Sequence, residues 1–151
     1  MKKLKPIARV VVYNPQVNKI LLVRNKGESF WYAAGGQWEY DHENILECAK
    51  REVLEETGLT VDIKKLLYMQ EFHGSPDTVC MEMFWIAQLS HEQDLNAAHV
   101  DLDPNGAVEE AKWFSRDELQ EVKVFPKRLK DSFWQNIHNV METEDPFIGV
   151  M

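Results

Sequence analysis

The sequence is poor in the features that mark extracellular or membrane-bound proteins. It holds only two cysteines, Cys48 and Cys80, too few and too far apart for a disulfide scaffold or for paired metal-ligand spacing. Both read as free thiols, and the expected location is the cytoplasm. No apolar run approaches the roughly 18 residues of a membrane-spanning helix. The basic start Met1-Lys2-Lys3-Leu4-Lys5 is like the front of a secretory leader, but Pro6, Arg9 and Asn14 interrupt the apolar stretch after it. Neither a leader nor a membrane partner is expected. Positive charge is short too: 17 Lys and Arg stand against 25 Asp and Glu, a formal net charge of −8. That balance argues against nucleic acid as a partner, because phosphate neutralisation needs clustered Lys and Arg. It does not exclude a small phosphorylated ligand, since bound cations reverse the sign of a local field. The histidines His42, His73, His91, His99 and His138 show no ligand spacing and read as surface or turn residues.

What is present fits one hydrophobic core, with 44% of residues apolar, and residues 1–151 read as a single α+β domain. Ile7 to Tyr13 is β-branched and apolar, and Asn14 to Asn18 is turn chemistry before a second strand at Lys19 to Arg24. Phe30 to Ala34 runs as a short strand into Gly35-Gly36. Glu43 to Thr57 is rich in helix formers, with Gly58 as a stop. Val61 to Phe72 and Thr78 to Leu89 read as strands joined through Gly74-Ser75-Pro76-Asp77. Ser90 to Gly106 contains no Lys or Arg and reads as an acidic surface loop. Ala111 to Phe114 reads as a strand, Ser115 to Glu118 as a capping box, and Pro126 as the first residue of a last helix reaching about Met141.

The chemistry concentrates between Glu43 and Leu59. On a helix, residues three and four apart share a face, so Glu52, Glu55 and Glu56 converge while Leu46, Ala49 and Val53 face the core. Adjacent carboxylates repel unless solvent or cations compensate. Hard oxygen ligands of this kind suit Mg2+, which takes a few carboxylates together with substrate phosphates. The bland reading is a salt-bridge ladder, because Glu47, Arg51 and Glu55 succeed one another at helical spacing on what could be a solvated face. The ordered combination of strand, paired glycines and acidic helix weighs against it.

This segment resembles the Nudix box. From Glu43 the match is complete: a glutamate, seven residues, then Arg51-Glu52-Val53-Leu54-Glu55-Glu56-Thr57-Gly58-Leu59. The segment from Trp113 to Leu119 is also similar to the family. Two departures lie upstream. Six residues rather than five separate Gly36 from Glu43, and Ala34 stands where a proline often precedes the glycines. The resemblance implies an α/β/α sandwich around a mixed sheet, and a Mg2+-dependent hydrolase, with Mn2+ as a substitute, that cleaves the diphosphate of a nucleoside diphosphate linked to another moiety. NTP or dNTP, ADP-ribose and nucleotide sugars all belong to that class. By position it implies Glu52, Glu55, Glu56 and the Gly35 carbonyl as metal ligands, Glu52 also as a candidate base, and Arg51 as the residue orienting it. Glu43 would brace the loop. A further acid, distant in sequence, is expected just before the last strand. Glu109 is the first choice, Glu110 the second, with Glu82 and Glu71 as alternatives. Trp31, Phe125 and Arg24 are the candidate substrate contacts.

Two rivals stand beside this reading. One is a nucleotide-binding Nudix-like module with little or no catalysis, against which the intact glutamate set speaks. The other is the isomerase branch of the fold, which would want a reactive cysteine, and Cys48 lies one turn before Glu52. The partner expected is a small nucleotide-like molecule. The substrate, the phosphorus attacked and the oligomeric state are left open, a homodimer included.

Overall fold

In a computed structural model, which describes residues 1–93 and 107–151, helices flank both faces of a mixed sheet. The strands are β1 (Lys3–Asn14), β2 (Lys19–Asn25), β3 (Phe30–Tyr32), β4 (Ala34–Gln37), β5 (Val61–Ser75), β6 (Thr78–Leu89), β7 (Val108–Phe114) and β8 (Lys123–Phe125). The helices are α1 (Ile45–Thr57), α2 (Arg116–Leu119) and α3 (Ser132–Glu142). The strand order is β5-β6-β1-β2-β3-β8, with β4 also pairing β1 and β7 also pairing β2.

Strand β1 organises the molecule because it is apolar on both sides. Its side chains alternate between faces, so Ala8, Val10 and Val12 enter one core with Ala49 and Val53 of α1. Val11 and Tyr13 enter the other with Phe133, Trp134 and Ile137 of α3. β1 runs parallel to β6 from Lys3↔Thr78 to Val12↔Ala87. It is shared along its length on the other edge: Ile7 to Val10 pair antiparallel with β4, and Val12 to Asn14 with β2.

Helix α1 is set by its ends. Asn44 caps it, accepting from Glu47 N at 2.9 Å, while the Glu47 carboxylate accepts from Asn44 N at 2.9 Å. Gly58 closes it at φ +75°, donating to Leu54 O. Glu43 is thereby left outside the helix, where it turns toward Arg51.

The expected elements are found, but Ala34–Gln37 forms a strand of its own, Lys123–Phe125 adds a strand that was not expected, and others differ in extent. β5 and β6 form one hairpin whose turn is Pro76-Asp77 alone, since Ser75 already pairs Thr78. β7 begins at Val108 rather than Ala111, so Glu109 and Glu110 lie in the strand. Pro126 opens a 3-10 turn, Lys127–Lys130, and α3 starts only at Ser132, with Asp131 as its cap. The expected loop from Ser90 to Gly106 falls mostly on residues 94–106, outside the described residues. Among the described residues no helix is long and apolar enough to cross a membrane.

Candidate active site

A cavity of about 1100 Å³ lies between α1 and residues of β1, β3, β4, β5 and β6. From α1 it takes Arg51, Glu52, Glu55 and Glu56; from β4, Gly35, Gly36 and Gln37; from β1, β5 and β6, Arg9, Gln70, Phe72 and Glu82. Phe30, Tyr32 and Phe125 form an aromatic wall, with Phe30 and Phe125 edge-to-face at 5.2 Å. The lining holds six glutamates against Arg9, Arg51 and Lys127, so its formal charge is −3.

Arg51 ties two of the three helix carboxylates together. Its Nη1 donates to Glu52 Oε1 at 2.9 Å and to Glu55 Oε2 at 3.2 Å. The same guanidinium grips Glu43 through Nη2 (2.7 Å) and Nε (2.9 Å). This pairing raises the Arg51 pKa further above its ordinary value and lowers that of Glu43. Glu43 also accepts from Glu39 N at 3.2 Å, and its carbonyl from Trp38 Nε1 at 2.9 Å, so it braces the loop carrying the extra residue. The salt-bridge ladder of the bland alternative is only half made: Arg51 reaches Glu55, but Glu47 is committed to the helix cap.

Glu56 is buried, 5% exposed, and accepts from Gly35 N at 3.1 Å. Gly36 faces Glu52 so closely that a Cβ there would lie 2.4 Å from Oε1. The paired glycines therefore have distinct steric roles: Gly36 leaves room for the Glu52 carboxylate, and Gly35 lets β4 approach the Ala8 backbone. As the side chains stand, no three His, Cys, Asp or Glu among the described residues converge tightly enough to grip an ion. Glu52 and Glu55 meet on Arg51, and Glu56 on the Gly35 amide. The donor set itself, hard carboxylates with a neighbouring carbonyl in a negatively charged cavity, fits Mg2+ in kind.

The other expected residues divide. Phe125 lines the cavity and is half exposed. Trp31 instead points through the sheet into the α3 core, edge-to-face with Phe114 at 4.9 Å. Strand alternation gives the cavity to its neighbour Tyr32, whose hydroxyl pKa burial pushes up to about 12. Arg24 lies outside the lining, bonded to Glu109 Oε2 (3.0 Å) and Glu110 Oε1 (3.3 Å). Those two acids are half exposed, and neither lines the cavity. Among the distant acids, Glu82 does: it is buried, and accepts from Arg9 Nε (3.0 Å) and Gln70 Nε2 (3.2 Å). Glu71 is exposed beside His73. Cys48 is buried beneath α1, outside the lining, and burial pushes its thiol up to about 12, the reverse of an activated cysteine.

Residues 3–133 match the family model of the NUDIX domain. The oxidized purine nucleoside triphosphate hydrolase of Mus musculus is 33% identical over 131 residues, covering 83% of this chain and 73% of the mouse protein. An NAD-capped RNA hydrolase of Caenorhabditis elegans is 27% identical over 140 residues, 91% of this chain, which spans only 34% of that protein's length. Among solved structures, a NUDIX hydrolase from Nitrosomonas europaea superposes with a TM-score of 0.66 at 21% identity, covering 96% of this chain and all of that one. A UDP-X diphosphatase does so with a TM-score of 0.67 at 22% identity, covering 93% of this chain and 66% of the other. The likeness in fold, the acidic helix against the paired glycines and the family match agree: this chain belongs to the Nudix hydrolase family.

Proposed function

We propose that the protein is a Mg2+-dependent hydrolase of nucleoside diphosphates linked to another moiety, with the cavity beside α1 as its active site. One observation carries this reading: Glu52, Glu55 and Glu56 line a single negatively charged cavity together with the Gly35-Gly36 backbone. A diphosphate adds like charge to such a site, and cations that bind with it offset the repulsion. Glu52, Glu55, Glu56 and the Gly35 carbonyl would hold the ion, and Mn2+ can take its place. When bound, Mg2+ supplies charge neutralisation on the diphosphate and makes water more acidic.

The chain's own residues do the rest. Arg51 limits where Glu52 and Glu55 can point, by charge-assisted bonds that Glu43 anchors from the other side. Glu52, within reach of the opening beside Gly36, is positioned to accept a proton from the attacking water. Phe125, Phe30 and Tyr32 offer apolar faces on which a nucleobase can stack. A cavity of this size takes a complete nucleotide with its attached group. The two free cysteines and the acidic surface accord with a cytoplasmic location and a small-molecule partner.

The test is a panel of nucleoside triphosphates, ADP-ribose, nucleotide sugars and dinucleoside polyphosphates, assayed with Mg2+, with Mn2+ and with EDTA. Cleavage of at least one member with either metal, abolished by EDTA, is the expected result. Tight binding of a nucleotide with no turnover of any member would instead favour a binding module.

A further inference from the structure

A second polar cluster lies on the cavity floor, outside the acidic helix. Arg9, in the middle of β1, sends Nε to Glu82 Oε2 at 3.0 Å and Nη1 to the Gly35 carbonyl at 3.4 Å. Glu82 sits on β6 between Met81 and Met83, and its second oxygen accepts from Gln70 Nε2 at 3.2 Å, across the β5–β6 register pair Gln70↔Glu82. Gly35, paired with Arg9 across β1 and β4, uses its own N–H to hold Glu56. A continuous run of contacts therefore joins Gln70, Glu82, Arg9, Gly35 and Glu56.

We propose that Arg9 and Glu82 are a positioning pair that fixes the Gly35 peptide, and through it Glu56, in the orientation a divalent cation requires. The proposal rests on the proposed function, in which Gly35 and Glu56 are ligands. Its physical basis is that Gly35 has a partner at both ends: its carbonyl oxygen accepts a long bond from Arg9 Nη1 at 3.4 Å, and its N–H donates to Glu56 at 3.1 Å. The two groups lie in adjoining peptide planes that meet at the Gly35 Cα, so a shift of this residue would disturb both contacts. Glu82 has a second part to play. A lone guanidinium this close to a cation site would repel the ion, and Glu82 cancels that charge while setting the direction of the fork. Fold stability is a weak reason for such a pair, because apolar residues of similar volume often replace buried ion pairs without loss. Glycine is needed for the same arrangement, since a Cβ on Gly35 would lie 2.0 Å from the Ala8 carbonyl oxygen.

Arg9→Lys separates positioning from simple stability. An ammonium can keep the ion pair with Glu82, but it lacks the rigid fork that reaches Gly35 at the same time. The full-length protein and its variants would be titrated with Mn2+, followed by the paramagnetic resonance of the free ion, and melted in EDTA. The expected result for Arg9→Lys is a near wild-type melt in EDTA and Mn2+ affinity weakened by about tenfold or more, as for other residues that orient metal ligands. In assays kcat should fall while KM for substrate changes little. Glu82→Gln should weaken Mn2+ similarly, and more at low salt, because it leaves Arg9 uncompensated. If Arg9→Lys does not fold, Glu82→Gln and the exposed Gln70→Leu carry the test, the latter with a loss of about threefold. Wild-type Mn2+ affinity and kcat in the folded variants would overturn the proposal and leave the proposed function standing. A wild-type protein that binds no Mn2+ would overturn both.

Discussion

Gly36 and Glu52 are in such close approach that the glycine's missing side chain is what leaves room for the carboxylate: a Cβ would fall 2.4 Å from Oε1 and 2.7 Å from Oε2. The atoms in the way belong to the end of a flexible side chain. Gly36→Ala should therefore fold, with stability changed by about 1 kcal/mol or less, while displacing Glu52 and cutting turnover on the order of 10-fold to 100-fold. Gly35→Ala should behave oppositely, because its Cβ meets the Ala8 backbone, which cannot move aside. Denaturant unfolding of the two variants beside wild type tests the contrast. Equal stability losses would refute it.

The Arg51–Glu43 pair makes a prediction about pH. Glu43 is held below its ordinary value of 4.5, chiefly by the Arg51 hydrogen bond. Its ionised form is thus stabilised by folding, a contribution fully present above about 4.5 and lost as pH falls through the lower folded value. Wild type should lose more stability than Glu43→Gln on going from pH 6 to about pH 3, by on the order of 1 kcal/mol for a partly exposed pair. Parallel pH profiles for the two proteins would contradict the assignment.

Mg2+ should raise the melting temperature, because an ion that binds only the folded protein shifts the equilibrium toward it and relieves repulsion among the carboxylates. The increment should shrink in Glu52→Gln. Differential scanning calorimetry in EDTA and in millimolar Mg2+ measures both. Equal Mg2+ increments in wild type and variant would remove Glu52 from the ligand set.

Glu109 and Glu110 provide a negative control. Both are half exposed and bonded to Arg24, and neither is among the cavity-lining residues. Glu109→Gln and Glu110→Gln should each leave turnover within about threefold of wild type, as expected for exposed pairs. A fall of about 100-fold in Glu109→Gln would put that carboxylate at the reacting atoms.

How much of this was legible in the sequence depends on whether covalent geometry or long-range packing decides. Glu52, Glu55 and Glu56 share a face because one helix spaces them, and Ser115 with Glu118 makes its capping box for the same local reason. Glu82 could not be singled out so easily. Its partners, Arg9 and Gln70, arrive from other strands, and a lone glutamate among apolar residues does not announce them. Trp31 and Tyr32 show a different limit. Alternation says that neighbouring residues face opposite sides of the sheet, but not which side is the cavity. The early start of β7 was hidden because Glu109 and Glu110 are poor strand formers, and pairing with Arg24 on β2 offsets the deficit. Pro126 is compatible with the first turn of either helix type, and only the hydrogen bonds of Lys127 to Lys130 distinguish a 3-10 turn from an α-helix there.

The most direct test is the turnover of Glu55→Gln and Glu56→Gln under saturating Mg2+, on whichever substrate of the panel wild type cleaves. Each substitution replaces a charged carboxylate by a neutral isostere, and circular dichroism would verify that the fold is kept. A carboxylate that holds the cation at the transition state should be worth about 100-fold or more in kcat. Falls of that size in both folded variants are the predicted result, and near-normal rates in both would contradict it.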